Sequence, residues 1–313
     1  MKAVLAQPRG VCAGVDRALR VVELALERFG PPIYVRREIV HNRYVVDGFR
    51  KRGVRSVEEL VEIPDGSLVI FSAHGVSPKV YREAQQRGLR TIDATCPLVA
   101  KVHSEVERYS KRGYRFLLIG HQGHDEVIGT IGYAPDKMDL VSNVTEANEI
   151  EVPPNSKLMI LTQTTLFVDE AVNILEVLRH RFPFLETPPA HDICYATQNR
   201  QNAVKKIANH ADLVLIVGSQ NSSNAIRLVE VAKASGVVGR LVESDQEVDS
   251  KWLVGVKAVG VSASASTPEV LVEKVMARLR EFGFCEVETM KSAEENIVFG
   301  LPVELAAELE NSK

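Results

Sequence analysis

No apolar run in the sequence approaches the roughly 20 residues that a membrane-spanning helix needs. The longest, Leu213 to Val217 and Phe116 to Ile119, have the length of buried strands. The N-terminus begins directly with a strand-like segment, Lys2 to Gln7, and lacks the apolar core of a secretory signal. A cytoplasmic protein with no membrane partner is expected. An excess of basic charge is also missing: 38 Lys and Arg stand against 41 Asp and Glu, a formal net charge of −3. Without a global positive field, nucleic acid is not an expected partner, although a small basic pocket for an anion is still allowed. No G-x-G-x-x-G follows a strand and there is no Walker loop, so dinucleotide and ATP sites have no support. Cysteine is scarce. Four in 313 residues, none in a CxxC pair, would be reduced in the cytoplasm, so disulfides are not the default reading.

What is present is the material of a globular α/β protein, 45% apolar and 25% charged. Short β-branched runs recur at Leu68–Phe71, Phe116–Ile119, Leu158–Leu161 and Leu213–Val217, each followed by a polar or glycine-containing turn and a helix-period segment. Near-continuous apolarity marks strands buried on both faces, as in a parallel sheet covered by helices. Gly30, Gly53, Gly88, Gly113, Gly236 and Gly283 stand where helix C-caps belong.

Read as βα units, the chain falls into nine, and their turn residues repeat in threes. The first triplet carries Cys12, His41 and His74. The second carries Cys96, His124 with Glu126, and Thr164. The third carries Cys194, then Ser222, Ser223 and Asn224, then Ser266. Successive cysteines are 84 and then 98 residues apart, a domain-sized period. The expected fold is three related α/β domains around a pseudo-threefold axis, each a small, mainly parallel sheet flanked by helices. Their bounds fall at 1–95, 96–193 and 194–285, with 286–313 as a C-terminal tail. In open parallel sheets ligands bind beyond the carboxyl ends of the strands, where all these turn residues lie.

A threefold arrangement brings Cys12, Cys96 and Cys194 to one central point, and thiolates suit soft metals and iron–sulfur clusters. The alternatives are three buried reduced thiols and a tri-cysteine zinc site, which usually needs a fourth ligand. Cys285 stands outside the triplets and is expected in the core. The histidines, hydroxyls and Asn224 could receive an anion at helix N-termini, yet Ser222, Asn224 and Ser266 could equally be N-caps. His124, Glu126 and Thr164 could form a proton relay, although Glu126 could equally be a first-turn helix residue favoured by the dipole. His103, His121, His180, His191 and His210 need no role beyond core or surface.

These residues stand in motifs: Gly10-Val-Cys-Ala-Gly14, Val40-His-Asn42, Ser72-Ala-His-Gly-Val76, Asp93-Ala-Thr-Cys-Pro97, Thr162-Gln-Thr-Thr165, Asp192-Ile-Cys-Tyr-Ala-Thr197, Gly218-Ser-Gln-Asn-Ser-Ser-Asn224 and Glu294-Glu-Asn-Ile-Val-Phe299. In that combination, over nearly the whole chain, the sequence resembles the 4-hydroxy-3-methylbut-2-enyl diphosphate reductase family of the methylerythritol phosphate route to isoprenoids. The resemblance implies reductive removal of an allylic hydroxyl, giving isopentenyl and dimethylallyl diphosphates. It implies a [4Fe-4S] cluster on Cys12, Cys96 and Cys194, with the substrate oxygen bound at its unique iron. By the same resemblance the substrate diphosphate is held by His41, His74, Ser222, Ser223, Asn224 and Ser266. Glu126 is then the proton source, assisted by His124 and Thr164, which also contact substrate. Electrons are expected from a separate one-electron carrier, flavodoxin or ferredoxin. One departure is visible: the family often has Pro where this chain has Asp125. Two other classes stay open on the residues alone, a non-catalytic iron–sulfur carrier and a zinc-dependent hydrolase.

Overall fold

Three all-parallel sheets form where the chain offers short runs that can be covered on both faces. The computed structural model describes residues 1–189 and 192–310. The chain enters through β1 (Lys2–Gln7) and α1 (Ala13–Phe29), then β2 (Ile33–Arg36), α2 (Arg43–Lys51), β3 (Val54–Val57), β4 (Leu68–Phe71), α3 (Pro78–Gln86) and β5 (Arg90–Asp93). After α4 (Pro97–Ser110) come β6 (Tyr114–Ile119), α5 (Asp125–Ile131), β7 (Met138–Val141), α6 (Val144–Glu149), β8 (Lys157–Thr162) and α7 (Val168–Arg181). The last third holds α8 (Tyr195–Ala208), β9 (Leu213–Val217), α9 (Ser223–Ala234), β10 (Val238–Val242), β11 (Ala258–Ala263), α10 (Glu269–Glu281), β12 (Glu286–Lys291) and α11 (Val303–Glu310). The sheet orders are β3-β2-β4-β5, β7-β6-β8 and β10-β9-β11-β1-β12. No helix among the described residues is long and apolar enough to cross a membrane.

The four expected apolar runs all lie in strands, and β2, β4 and β9 are buried along their whole length. The six expected C-cap glycines all adopt positive φ. The edge strands β3, β5, β7, β10 and β12 carry no continuous apolar run, whereas β8 keeps one because the segment at Glu186 pairs with its open side.

Each cysteine stands where the chain leaves one sheet for the next. Cys12 follows β1, but the helix it opens, α1, buries Val21, Val22 and Ala25 against Ile33, Val35 and Ile70 of the β2–β4 layer. Cys96 follows β5 of that layer and opens α4, whose Val102 and Val106 pack on Phe116 and Leu118 of β6. Cys194 opens α8, whose Ala203, Val204 and Ile207 pack on Val4, Val214 and Ile216. Burying one such aliphatic side chain contributes about 1.5–3 kcal/mol, so a charge at Val21 or Val204 would detach the helix from its sheet.

Sheet membership departs from the even division at 1–95 and 286–313. β1 lies between β11 and β12 in the five-stranded sheet, so residues 2–7 belong with the last unit rather than the first. Residues 286–291 are a strand of that sheet, and α11 packs Leu305 into the core beneath α1. The expected tail is therefore built into two units. Residues 311–313 lie outside the described residues.

Candidate functional site

Cys12, Cys96 and Cys194 are the N-cap residues of α1, α4 and α8. Their amides are held alike: Cys12 donates to the carbonyl of Ala265 (3.2 Å), Cys96 to that of Ala73 (2.9 Å) and Cys194 to that of Thr164 (3.2 Å). Each acceptor is in, or next to, the last residue of a triplet, so the thiols and the polar loops are fixed to one another. All three cysteines line one cavity with His41, His74, His124, Glu126, Thr164, Ser222, Ser223, Asn224 and Ser266. Every candidate residue of the three triplets is in that group.

Close approach around the thiols shows at Gly14. A Cβ built there would lie 2.5 Å from Sγ of Cys96 and 3.9 Å from Sγ of Cys12. Burial pushes the Cys96 thiol up to about 12 and the Cys194 thiol up to about 11, so both are neutral until a metal displaces the proton. Sγ of Cys194 also meets the Thr197 amide (3.4 Å) and hydroxyl (3.2 Å). A single zinc on three thiolates would bring the sulfurs to about 3.8 Å from one another. Among the described residues, the group of potential ligands lying within 4.8 Å of one another is His41, His74 and Asp125, and the cysteines are spread more widely. A soft, multi-metal cluster fits that donor set better than one zinc ion.

Above the thiols, His41 and His74 stack at 4.0 Å between ring centroids, and His124 meets both edge-on. Burial, and then the neighbouring cationic groups, hold His74 well below the usual histidine range and His124 at about 3. Nδ1 of His124 accepts from the Glu126 amide, leaving Nε2 to carry the ring proton. Asp125 opens α5 and pairs with Arg37 of the first unit, and it lies 3.9 Å from Nε2 of His41. Asp125 offsets the Arg37 charge there, and a second carboxylate, Glu38, lies 3.4 Å from Nδ1 of His41.

Capping and site roles coincide in the last unit. Ser222 caps α9 through the Ala225 amide, Asn224 accepts from the Ala265 amide, and Ser266 donates to the His41 carbonyl. Nδ2 of Asn224 is buried without a hydrogen-bond partner, a donor that an anion in the cavity would satisfy. Glu126 is in the first turn of α5 and fully buried, and burial raises its carboxyl to about 7.

Three sequence expectations change or gain content. Cys285 is exposed rather than in the core, because β12 lies at a sheet edge and the loop before it is uncovered. His103 is buried and stacked on Tyr133, whereas His180 and His210 are exposed and His121 is half-buried. His191 lies outside the described residues. The sequence reading gave no role to Thr165, Gln163 or Thr197. Gln163 and Thr165 bond to Ser223 across units, and Thr197 stands three residues past the Cys194 N-cap, where a capping partner is found.

A model of the LytB protein family matches residues 3–280. The chain belongs to that family. Among curated members, the protein of Mycolicibacterium paratuberculosis named 4-hydroxy-3-methylbut-2-enyl diphosphate reductase is 54% identical over 305 residues, covering 97% of this chain and 92% of its own. The protein of the same name from Acidothermus cellulolyticus is 55% identical over 309 residues, covering 98% and 91%. The solved E-1-hydroxy-2-methyl-but-2-enyl-4-diphosphate reductase of Plasmodium falciparum superposes with a TM-score of 0.97 at 40% identity, over 99% of this chain and 98% of its own. A solved structure described as the terminal enzyme of the non-mevalonate pathway gives 0.64 at 32% identity, over 90% and 100%.

Proposed function

We propose that this LytB-family chain reduces (E)-4-hydroxy-3-methylbut-2-enyl diphosphate to isopentenyl and dimethylallyl diphosphates, the last step of the methylerythritol phosphate pathway. The observation that carries the reading is the convergence of three thiols, a set of anion donors and a buried carboxyl on one cavity. A non-catalytic cluster carrier would need only the thiols.

Cys12, Cys96 and Cys194 would hold a [4Fe-4S] cluster, which when bound supplies electrons and a Lewis acid beside the allylic carbon–oxygen bond. The chain's own residues do the rest. His41, His74, Ser222, Ser223, Asn224 and Ser266 receive the diphosphate and fix the allylic end toward the thiols. The diphosphate's charge favours protonation of His74, which burial otherwise keeps neutral, while His124 stays neutral because its Nδ1 accepts the Glu126 amide. Glu126 keeps its proton near neutral pH and gives it to the departing hydroxyl, which leaves as water. Thr164 aligns the carboxyl and His124 accepts the Glu126 amide, so neither oxygen is free to swing away. Two electrons and two protons balance the reaction, one water leaving for each alkene formed.

The cavity carries no nicotinamide or flavin motif, so a one-electron protein, flavodoxin or ferredoxin, is the proposed donor. A cytoplasmic setting suits three reduced thiols. The test is anaerobic purification, assay of iron and sulfide, and turnover with a chemically reduced one-electron mediator. Visible absorbance, bound iron and formation of both five-carbon diphosphates are expected. A colourless, zinc-bearing protein that leaves the substrate unreduced would sink the proposal.

A further inference from the structure

The helices that start at the three cysteines each carry a cation five or six residues further on: Arg17 in α1, Lys101 in α4 and Arg200 in α8. None of the three serves its own cysteine loop alone. Arg17 donates to the carbonyls of Thr95 (3.0 Å) and Asp93 (3.4 Å), on either side of Ala94 and just before Cys96. Lys101 reaches Oδ1 of Asp192 (3.0 Å), two residues before Cys194, and the other oxygen of Asp192 accepts the Thr162 amide (3.1 Å). Arg200 donates twice to the Gly10 carbonyl (2.9 and 2.7 Å) and once to that of Val11 (3.4 Å), immediately before Cys12. The order is cyclic. The Cys12 helix braces the Cys96 loop, the Cys96 helix braces the Cys194 loop, and the Cys194 helix braces the Cys12 loop.

We propose that Arg17, Lys101 and Arg200 form a closed ring of positioning residues that sets the spacing of the three thiols for a metal centre. This rests on the reading of Cys12, Cys96 and Cys194 as cluster ligands. Burying a charge is costly unless it is fully hydrogen-bonded, and a well-packed apolar side chain often serves stability as well. Arg17 and Arg200 are nonetheless buried, and the Asp192 side chain is 1% exposed. What a charge supplies here and an apolar group does not is a fixed set of directed hydrogen bonds, from the two arginines to loop carbonyls and from Lys101 to the Asp192 carboxylate. The segment after β12 completes the ring: Glu295 pairs with Arg200 (3.0 Å), and the Gly300 carbonyl accepts Nε of Arg17 (2.7 Å). The C-terminal strap thereby ties two of the three braces together. Thiols alone could bind iron, but a centre shared by three sheets needs its ligands held at one separation, because partners behind the ligands orient them.

The test compares Arg17→Met, Lys101→Met and Arg200→Met with Lys101→Arg and Arg200→Lys, all as full chains reconstituted anaerobically. Circular dichroism and thermal midpoint of the cluster-free proteins report folding. Iron and sulfide per chain, the rate of bleaching by a chelator and the cluster's electron paramagnetic resonance spectrum after reduction report positioning. Loss of a partner behind a metal ligand typically weakens metal retention about 10–100-fold. The Met variants are expected to fold, bleach faster by that order and show altered spectra, with Lys101→Arg returning toward the parent. Should the two buried arginine variants fail to fold, Lys101→Met decides, because its side chain is 30% exposed and leaves no sealed void. A folded Lys101→Met with parental bleaching and spectrum overturns the ring. Cys96→Ser separates the two claims: if it keeps a full cluster, the ligand reading itself has failed. If it loses the cluster while the cation variants behave as the parent, only the ring has failed.

Discussion

Thr164 holds both oxygens of Glu126: its amide donates to Oε1 at 2.7 Å and its hydroxyl to Oε2 at 2.8 Å. The pair joins the first turn of α5 to the loop after β8, with both residues buried in the cavity wall. Two opposed effects meet there. Burial disfavours the carboxylate and raises the group to about 7, while both Thr164 bonds favour the charged form and limit the rise. The result is an acid poised near neutral pH, where proton transfer is most effective.

Glu126→Gln is expected to lower single-turnover reduction by about 100-fold or more, the usual share of a positioned general acid, with the cluster content unchanged. The parent's rate should be level below about pH 7 and fall tenfold per unit above it. The sign follows from the raised value: the protonated, active form is present below about 7 and lost as pH rises through it. Rates that climb between pH 7 and 9 would rule Glu126 out as the acid.

Thr164→Val keeps the side-chain volume and the amide bond but removes the hydroxyl donor. With one bond to the charged form gone, the Glu126 carboxyl rises further, by about one unit if the bond is worth about 1.5 kcal/mol. The alkaline limb of the pH–rate profile should therefore move to higher pH, with a modest drop in maximal rate. An unmoved or acid-shifted limb would contradict the hydrogen-bond geometry.

Gly14→Ala should lower cluster content, because the new methyl would lie 2.5 Å from Sγ of Cys96 and push that sulfur aside. Cys285→Ser should leave iron and sulfide at parental levels, since Cys285 is exposed and stands apart from the cavity. Anaerobic reconstitution of the two proteins side by side gives the comparison. Equal cluster content in Gly14→Ala and the parent would show that the Cys96 side chain makes room without loss of the centre, so crowding at Gly14 does not limit assembly.

Binding of the diphosphate is expected to draw protons from solution at pH 7. His74 is held well below the usual histidine range in the free site, and an entering anion raises it toward the working pH. Calorimetric titration in two buffers of different ionisation enthalpy measures the uptake directly. Identical heats in the two would show that the His74 imidazole gains no charge. In the same titration Asn224→Ala should weaken affinity about tenfold, because the buried Nδ2 loses its role as an anion donor.

The sequence by itself determined the local parts of this protein. Runs such as Leu213–Val217, short, β-branched and bounded by turns, mark strands covered on both faces, and glycines at helix ends supply positive φ. The placing of Cys12, Cys96 and Cys194 at turns, with a histidine or hydroxyl at the turns between, is likewise visible along the chain. These features were legible because each depends on neighbours within a few residues. Tertiary structure decided the rest. β1 pairs with β11 and β12, more than two hundred residues away, and parallel pairing leaves no mark at the turn next to it. Cys285 is apolar in a strand-like segment, yet its burial depends on what covers it, and it is exposed. Asp125 finds Arg37 across a unit boundary, and Arg17 finds a carbonyl 283 residues on. A charge carries no signal of its distant partner, so only the closing of three sheets around one cavity shows which loops the buried cations hold.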